Sequence, residues 1–416
     1  MFNSFFSTTA PDAQNFHPVT SNVKEGELFG ELTPKDTEWT CAGSFATETQ
    51  VWYSIGNDGT YLMCQIIHSS VGVWYPQIQF TCKVFNAAKN IKIWKSVNIS
   101  NFVTPPPGLD KRSSKSDQFS VTHKAAEGEF PESYTINANL GKDLQIALDV
   151  RRPAGVPGWK VGQGEKGGFS YFGADEANPE GYVIHRFWPR TTASGHIIIN
   201  GAAEVMEGTG VFIHAIQGMR PNLVAARWNF AHFQSDEHGG VVGTQMEFTT
   251  TDAYGKKGPG TGNVTVSVGS LVVGGKLAAV TAETKWPGEE QAADAAVISR
   301  ATHTKTEQDA DTGYKGPTEV AFEWKGPSII PETPGTYAGK LVCDVGPVAK
   351  PHGLVDKVDV LAEIPYAVKM VVNYVAGTKP YIYQWMNPAT ITITEPGKDE
   401  PVEVKGILYN EATFIS

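Results

Sequence analysis

The sequence is poor in cysteine: its 416 residues include four, at Cys41, Cys64, Cys82 and Cys343. None of them forms a CxxC pair, so a zinc or redox motif is not expected, and a chain of this length needs no disulfide framework. No apolar run approaches the ~20 residues that span a bilayer. The N-terminus MFNSFFSTTAPDAQNFH also lacks the basic and apolar regions of a secretory signal. We therefore expect a soluble, intracellular protein.

Positive charge is also scarce. Lysine and arginine number 34 against 44 aspartates and glutamates, which gives a formal net charge of -10 and a pI near 5.5. Nucleic-acid phosphates are bound by clustered lysine and arginine, and anionic lipid surfaces attract basic segments. The composition therefore argues against nucleic acid as a partner and against a general electrostatic attachment to anionic membranes.

Motifs for metal, nucleotide or serine chemistry are missing. The histidines form no HxxxH or HExxH pair, and there is no GxSxG nucleophile elbow. The segment GQGEKG at 162–167 does match GxGxxG, but a dinucleotide site needs a helix after it, and the β-like GFSYFG follows instead. We predict a flexible loop at 162–167, and no metal or cofactor.

Glycine and proline are frequent, with 43 and 26 residues, and aromatic residues make up 11% of the chain. This composition favours a turn-rich, all-β fold. Residues 47–69 have the pattern of a hairpin that turns at Asn-Asp-Gly, and residues 262–284 that of a hairpin that turns at Gly-Gly. Residues 380–395 add a further strand.

One segment has the pattern of a helix. The sequence PYAVKMVVNYVAGTKP at 365–380 begins with a proline, which suits a first helical turn, and Gly377 followed by Pro380 marks an end. The segment is apolar on nearly every side except Lys369 and Asn373. We therefore predict a short helix in the C-terminal domain, buried against a sheet or closing one end of a barrel.

The length indicates two domains, because a single hydrophobic core rarely serves more than about 300 residues. Residues 51–66 and 227–248 echo each other: each runs from an aromatic strand through a glycine-containing turn to a strand that carries a glutamine. We interpret the echo as a duplication with a boundary near Gly218–Pro221. The predicted organisation is an N-terminal tail at 1–38, an N-terminal domain at 39–218, and a C-terminal domain at 219–416 with a mobile, acidic surface insertion within 285–335.

The densest cluster of chemically unusual residues is HRFWPR at 185–190, where a histidine and two arginines flank Phe187 and Trp188. On a strand, residues 186, 188 and 190 would face one side and residues 185, 187 and 189 the other. Because a buried, unpaired charge is strongly unfavourable, the arginines need acidic partners. The cluster is either an interdomain clasp of arginine–acid and arginine–aromatic contacts or a ligand-binding or catalytic site. The acidic candidates are Glu204, Glu207 and Asp175.

The first six residues, MFNSFF, place four apolar side chains on one side of a short helix. Such a face can insert into a bilayer interface. Pro11 limits the helix to about ten residues, a length that is marginal in water but forms more readily on a membrane. The alternatives are an amphipathic membrane-contacting helix and a disordered tail. The candidate membrane contacts are Met1, Phe2, Phe5 and Phe6.

Four blocks of the sequence resemble a known family. HRFWPR, FIHAIQGMRPNLVAARWNFAHFQ, KVDVLAEIP and VAGTKPYIYQW are similar to the fungal survival factor 1 family, the ceramide-binding proteins of oxidative-stress survival. The resemblance runs from residue 39 to residue 388. It implies two lipocalin-like β-barrel domains in tandem, which agrees with the all-β, two-domain expectation.

The resemblance also implies a function. The family is associated with non-vesicular ceramide transfer from the endoplasmic reticulum to the Golgi and with survival under oxidative stress, and its membrane contact is an N-terminal amphipathic helix. It follows that ceramide or a related sphingolipid would be the partner. The location would be the cytoplasm, peripheral at Golgi and endoplasmic reticulum membranes, with the nucleus as an alternative. A closed barrel can enclose an apolar cavity for two acyl chains.

The amide and hydroxyls of ceramide need only a few hydrogen-bonding groups near the mouth of such a cavity. The expected protein is not an enzyme and uses no cofactor. Two alternatives stay open: a lipocalin-like isomerase or cyclase that acts on an apolar small molecule, and a scaffold without a ligand. The candidate ligand-binding residues are Trp188, Arg190, Gln217, Arg227, Trp228 and Asn229.

Overall fold

Two large antiparallel β-sheets make up the structure, a computed structural model that describes residues 13–24, 26–72, 76–255, 262–363 and 380–415. The strands of the first sheet are β1 (Phe16–His17), β2 (Phe29–Glu31), β3 (Ser44–Gly56), β4 (Tyr61–Gly72), β5 (Gln77–Asn86), β6 (Ile91–Asn98), β7 (Ser114–Lys115), β8 (Phe119–Ala125), β9 (Glu132–Asn139), β10 (Leu144–Arg152), β11 (Trp159–Val161), β12 (Phe169–Phe172), β13 (Gly181–Ile199) and β14 (Ala202–Gln217). Those of the second sheet are β15 (Arg227–Ser235), β16 (Val241–Thr249), β17 (Thr265–Val273), β18 (Lys276–Lys285), β19 (Ile298–Gln308), β20 (Lys315–Pro327), β21 (Thr336–Asp344), β22 (Leu354–Asp359), β23 (Tyr381–Thr394) and β24 (Val402–Phe414).

Helical turns are short in the described ranges. Three 3-10 turns cover Val19–Asn22, Pro34–Thr37 and Glu237–Gly239, and the α-helical turns are α1 (Pro221–Val224) and α2 (Val360–Glu363). The helix predicted at 365–380 falls almost wholly on residues 364–379, which lie outside the described residues.

Both sheets have the same strand order, except that the first continues with β7 at one edge. Along the first it is β6-β5-β4-β3-β14-β13-β10-β9-β8-β7, and along the second β18-β17-β16-β15-β24-β23-β21-β20-β19. The two echoing segments, 51–66 and 227–248, lie on the equivalent hairpins β3–β4 and β15–β16. The predicted boundary at Gly218–Pro221 lies in the connection between β14 and β15. Because the sheets curl into a half-barrel and a near-barrel, the prediction of an all-β fold with two lipocalin-like units is confirmed.

Local sequence explains two of the hairpins. Between β3 and β4, Gly59 has a φ of +79°, a left-handed conformation that glycine adopts without a steric penalty. Between β17 and β18, Gly274 and Gly275 have φ values of +60° and +71°, as a tight hairpin turn requires. Both predicted hairpins are confirmed by the pairing of their strands.

Side chains fill the middle of the concave side of each sheet. In the first sheet, strand alternation directs Trp52, Tyr134, Trp188 and Phe212 inward, and the ring centroids of Trp52 and Phe212 lie 5.3 Å apart. In the second sheet, Trp324 and its aliphatic neighbours occupy the same kind of space. Bulky rings therefore occupy the middle of the concave side of the first sheet, and no apolar cavity large enough for two acyl chains lies there in the described part of the chain.

The convex faces of the two sheets pack against each other. Tyr53 of the first sheet stacks on Phe230 of the second with ring centroids 5.4 Å apart. The N-terminal segment lies in the same interface, where buried Phe16 contacts Phe172 of the first sheet and Phe248 of the second. The two halves therefore share one continuous apolar core.

Two predicted regions differ in the structure. The tail predicted at 1–38 belongs to the first sheet in its described part, because β1 pairs with β12 and β2 pairs with β11. The middle of 285–335 is not a surface excursion: it contains β19 and β20, and Phe322 and Trp324 on β20 are buried. Exposed charged residues such as Lys305 and Glu307 alternate poorly with the buried ones, so the polar composition concealed the strands.

Candidate functional site

A groove of about 300 Å³ lies between the convex faces of the two sheets, and we call it the interdomain groove. Strands β3, β13 and β14 form most of one side, and β15, β24 and α2 form most of the other. Successive side chains of β13 point to opposite faces of the first sheet. His185 therefore lies in the groove, whereas Arg186 lies on the concave side.

Apolar and aromatic side chains form most of the groove wall. The first sheet contributes Val51, Tyr53 and Ile213, and the second contributes Trp228 and Phe230. Concave apolar surfaces of this kind are typical of small-molecule sites, because a ligand that covers them removes hydrocarbon from water.

One carboxylate, Glu411 on β24, lies in this apolar environment. Its Oε1 accepts hydrogen bonds from the Tyr409 hydroxyl and, at 2.7 Å, from Nε2 of Gln384. Burial raises the pKa of Glu411, although these hydrogen bonds and the charge of Lys83 act in the opposite direction. Within the described part of the chain both hydrogen bonds end on Oε1, so Oε2 is free to bind a ligand hydroxyl or amide.

Lys83 connects this carboxylate network to the first sheet. It is buried on β5, and its ammonium donates to Asp356 at 2.8 Å and to Gln384. The same ammonium lies 4.1 Å from the centroid of the Trp94 ring. Burial lowers the pKa of Lys83, and the hydrogen bond to Asp356 partly opposes that shift. Since Asp356 and Gln384 belong to the second sheet, Lys83 holds the two halves together beside the groove.

His185 supplies an uncharged surface to the groove. Its ring centroid lies 5.6 Å from that of Trp228, 6.2 Å from that of Phe187 and 6.5 Å from that of Phe248. Burial lowers the pKa of His185 to about 4. The imidazole is therefore neutral at neutral pH.

The structure separates the predicted ligand-binding residues. Gln217 and Trp228 lie together in the interdomain groove. Arg227 and Asn229 flank Trp228 on β15 and so point the other way. They lie in a polar pocket of about 220 Å³ at one end of the second sheet, where Asn229 donates to Glu247 at 3.0 Å.

The other two candidates, Trp188 and Arg190, are engaged elsewhere. Trp188 is fully buried on the concave side of the first sheet, with its ring centroid 5.0 Å from that of Tyr134. Arg190 pairs with Asp236 of the second half at 2.7 Å, and Arg186 approaches Asp36 at 3.4 Å. The acidic partners considered from the sequence were therefore wrong, because strand pairing brings together residues that are distant in the chain. Those rejected partners are Glu204, Glu207 and Asp175.

Sequence reasoning missed several groove residues. These residues belong to no local motif. The sequence indicated them only through their positions on the convex side of the hairpins β3–β4 and β15–β16 and of β24. The missed residues are Tyr53, Gln65, Met246 and Glu411. The predicted membrane contacts Met1, Phe2, Phe5 and Phe6 lie outside the described residues.

The GQGEKG segment at 162–167 is a packed turn. It connects β11 to β12 and so lacks the helix of a dinucleotide site. Gly162 has a φ of +78°, and a Cβ atom at Gly167 would lie 2.3 Å from the Gly162 carbonyl oxygen. Close backbone packing therefore explains the glycines.

The described ranges hold no group of three or more His, Cys, Asp or Glu side chains able to hold a metal ion. None of their helices has the length and apolar character needed to cross a membrane.

The fold and the groove together define a class of protein: a lipocalin-like chain of two curled sheets with an apolar groove between them. The crystal structure of CghA with Sch210972 has this fold. It matches with a TM-score of 0.57 over 98% of this chain and 99% of that chain, at 13% identity. At such low identity the likeness concerns the fold alone.

Sequence comparison identifies the family. The Svf1 family model matches residues 4–416. The ceramide-binding protein svf1 of Schizosaccharomyces pombe is 32% identical over 422 residues, which covers 99% of this chain and 98% of the relative. The protein of the same name from Emericella nidulans is 31% identical over 404 residues, 96% of this chain and 93% of the relative. The chain belongs to the Svf1 family, and the resemblance seen in its sequence blocks is confirmed.

Proposed function

We propose that this protein is a non-enzymatic ceramide-binding protein that holds its ligand in the interdomain groove. The observation that supports this most directly is a ligand-sized apolar groove in a chain whose relatives are named ceramide-binding proteins. The groove is the apolar site that lies between the two halves, beside the core that they share.

The groove has the chemistry that a neutral lipid needs. Its aromatic and aliphatic wall suits hydrocarbon, and the free Oε2 of Glu411 suits a hydroxyl or an amide N–H. The amides of Gln65 and Gln217 lie in the same groove and can both donate and accept. Because ceramide carries no charge, the acidic balance of the chain does not oppose its binding.

The volume limits what the described groove encloses. About 300 Å³ is at the lower end of the range of roughly 300–1,000 Å³ for small-molecule sites. We assign the polar head of ceramide and the adjoining parts of its chains to this space. Val360, Leu361 and Pro380 also line it and add to its apolar wall.

The biological role follows from the ligand. A protein that shields ceramide from water would carry it without vesicles, and we propose transfer from the endoplasmic reticulum to the Golgi. Met1, Phe2, Phe5 and Phe6 would make the membrane contact from the cytoplasm through a short amphipathic helix. Support for survival under oxidative stress would then be a consequence of sphingolipid transfer.

A matched pair of substitutions tests the site. Ala215→Trp on β14 places an indole in the groove, and Ala203→Trp places the same group on the exposed part of the same strand. Liposomes that contain ceramide are incubated with each variant, and the soluble protein is analysed by lipid mass spectrometry. We expect the Ala203 variant to extract ceramide as the parent protein does and the Ala215 variant to extract little.

Two further readouts complete this test. Excess ceramide should raise the melting temperature of the parent protein but not of the groove variant, because a ligand stabilises only the state that binds it. The extracted lipid should have the mass of the lipid supplied. Equal extraction by both variants would place the ligand elsewhere, and a changed mass would support the isomerase or cyclase alternative.

A further inference from the structure

A larger cavity lies on the opposite face of β13 from the groove. Its volume is about 950 Å³, and it opens where β13 begins and β14 ends; we call it the basin. Phe29, Phe169, Tyr182, Ile184 and Ile216 give it apolar and aromatic walls. This volume is near the upper end of the range of roughly 300–1,000 Å³ for small-molecule sites.

Three buried charged side chains form the floor of the basin. Lys160 on β11 donates to Oδ1 of Asp36 at 2.7 Å, and Arg186 on β13 donates to the Asp36 backbone carbonyl at 2.6 Å. The Arg186 guanidinium also lies 3.4 Å from the same Oδ1. Each of these side chains is less than a tenth exposed. Two cations therefore share one carboxylate.

A further buried carboxylate, that of Glu48, has its own partners. Glu48 lies behind the floor, accepts a hydrogen bond from the Cys41 amide at 2.7 Å and contacts Nε2 of His214 at 2.9 Å. Nδ1 of His214 contacts the Asp36 carbonyl at 2.9 Å. The Glu48 carboxylate is therefore engaged by the Cys41 amide and the His214 ring, and Asp36 is the acid that contacts Lys160 and Arg186 directly.

Two donors on the floor have no acceptor among the described residues. Nε of Arg186 is buried without a hydrogen-bond partner. Lys160 has three N–H groups, and its hydrogen bonds go to Asp36 and to the Gly164 carbonyl, at 2.9 Å for the latter. Buried donors rarely stay unsatisfied in native proteins. Both side chains line the basin, so a ligand oxygen bound on its floor would lie beside them.

Charges at the rim have both signs. Lys35 and Lys111 lie there with Glu31, Glu38 and Glu165, and Lys35 pairs with Glu165 at 3.3 Å. Interactions between exposed charges of this kind are weak and screened by salt. The rim therefore contributes less to ligand choice than the buried floor.

We propose that the basin is a second ligand site, which binds an amphipathic monocarboxylic acid of the fatty-acid class. Its carboxylate lies against Arg186 and Lys160, and its hydrocarbon chain follows the aromatic wall. Carboxylates form stronger, charge-assisted hydrogen bonds with guanidinium and ammonium groups than neutral hydroxyls do. Ceramide lacks an ionised group, so the two faces of β13 select different ligands. This inference does not depend on ceramide binding in the groove.

The test compares dodecanoate with dodecanol, which has the same chain without the charge. Isothermal titration calorimetry is performed on the full chain with each ligand below its aggregation concentration. We expect dodecanoate to bind at least about tenfold more tightly, as a charge-assisted pair of hydrogen bonds implies. Equal affinities, or no binding of the acid, would overturn the proposal.

Variants locate the site. Lys160→Met removes one cation while Arg186 still accompanies Asp36, and Lys166→Met is the matched change at an exposed lysine that pairs with Glu176. We expect the first change to weaken dodecanoate binding about tenfold and to leave dodecanol binding unchanged. The Lys166 variant should bind both ligands as the parent does. Loss of the acid preference in both variants would contradict the assignment to the floor.

A bulky substitution at the mouth of the basin tests the proposal even if substitutions on the floor prevent the protein from folding. Gln163 is exposed at the basin mouth, and Gln163→Trp should weaken dodecanoate and dodecanol alike by obstructing entry. Ala215→Trp in the interdomain groove should leave dodecanoate affinity intact. Unchanged dodecanoate affinity in the Gln163 variant, or its loss in the Ala215 variant, would exclude the basin.

Discussion

The two sheets share one strand order, yet they stabilise buried carboxylates in different ways. At one end of the first sheet, Asp36 lies between Lys160 and Arg186. At the corresponding end of the second sheet, Glu247 is buried with neutral partners: it accepts from the Asn229 amide at 3.0 Å and from the Ala301 backbone N–H at 3.2 Å.

The ionisation of the two carboxyls differs accordingly. Burial alone would raise the pKa of Asp36, but hydrogen bonds from Lys160 and Thr33 and the charge of Arg186 lower it below its ordinary value. Burial raises the pKa of Glu247, and its hydrogen bonds only partly oppose the shift. Duplication of the strand order therefore did not duplicate the electrostatics. Among the described residues, a large cavity with buried cations on its floor is found in the first half.

The largest expected effect contrasts two isosteric changes, Asp36→Asn and Glu247→Gln. The first leaves Lys160 and Arg186 buried without a carboxylate, so we expect the free energy of unfolding to fall by about 3–5 kcal/mol. The second replaces a carboxyl whose neutral form burial already favours, and we expect a change within about 1 kcal/mol. Urea denaturation at pH 7 measures both. Equal losses in the two variants would show that the ends of the sheets are electrostatically alike.

A pH dependence is expected from the interface between the halves. The pKa of His185 falls from about 6.5 in an unfolded chain to about 4 in the folded protein. Between these values the unfolded chain binds more protons, so the free energy of unfolding decreases as pH falls from about 6.5 to 4, by up to about 3 kcal/mol. His185→Phe should reduce this decrease in urea titrations across that range.

His232 on β15 offers the internal comparison for that experiment, because burial also lowers its pKa to about 4. His232→Phe should flatten the pH profile by a similar amount. If neither variant changes the profile, the acid sensitivity arises from other groups.

The fold could be predicted well because its signals are local. Turn glycines such as Gly59 and Gly274 stand beside the strands that they connect, and alternating side chains mark the strands themselves. The echo between 51–66 and 227–248 indicated the repeated strand order for the same reason. Local composition also misled: the acidic residues of 285–335 concealed a strand pair with a buried tryptophan.

The candidate site was much less predictable because its residues meet through the pairing of distant strands. Gln217 and Trp228 of the groove come from the segment singled out in the sequence, but Glu411 enters from the last strand. Likewise, Asp36 lies 150 residues from Arg186 in the chain. Sequence spacing shows that a buried arginine needs an acid, and only the fold shows which acid it meets.

A smaller effect is expected from the ion pair that joins the halves. Lys83→Met leaves Oε1 of Gln384 without the donor that Lys83 supplies, and it leaves Asp356 with Lys92 and the Lys357 backbone N–H. We therefore expect a loss of about 1–3 kcal/mol. Lys89→Met is the matched change at an exposed lysine of the first sheet, and we expect no measurable loss there. Thermal denaturation of both variants makes the comparison. A loss in the Lys89 variant as large as in the Lys83 variant would show that burial does not distinguish the two lysines.

The smallest effect concerns the reactivity of the cysteine thiols, which we expect to be equally low in the two halves. Burial raises the pKa of the Cys41 thiol to about 12 in the first half and that of Cys343 to about 11 in the second, and Cys64 and Cys82 are fully buried. At pH 7.5 a thiol with a pKa of about 11 is ionised in fewer than about one molecule in a thousand, and the thiolate is the reactive form. Iodoacetamide should therefore leave the folded protein unlabelled and label all four cysteines after unfolding in urea, as intact-mass spectrometry would show. Rapid labelling of the folded chain at one cysteine would identify a thiol that its surroundings activate. The two halves would then differ in the reactivity of their thiols.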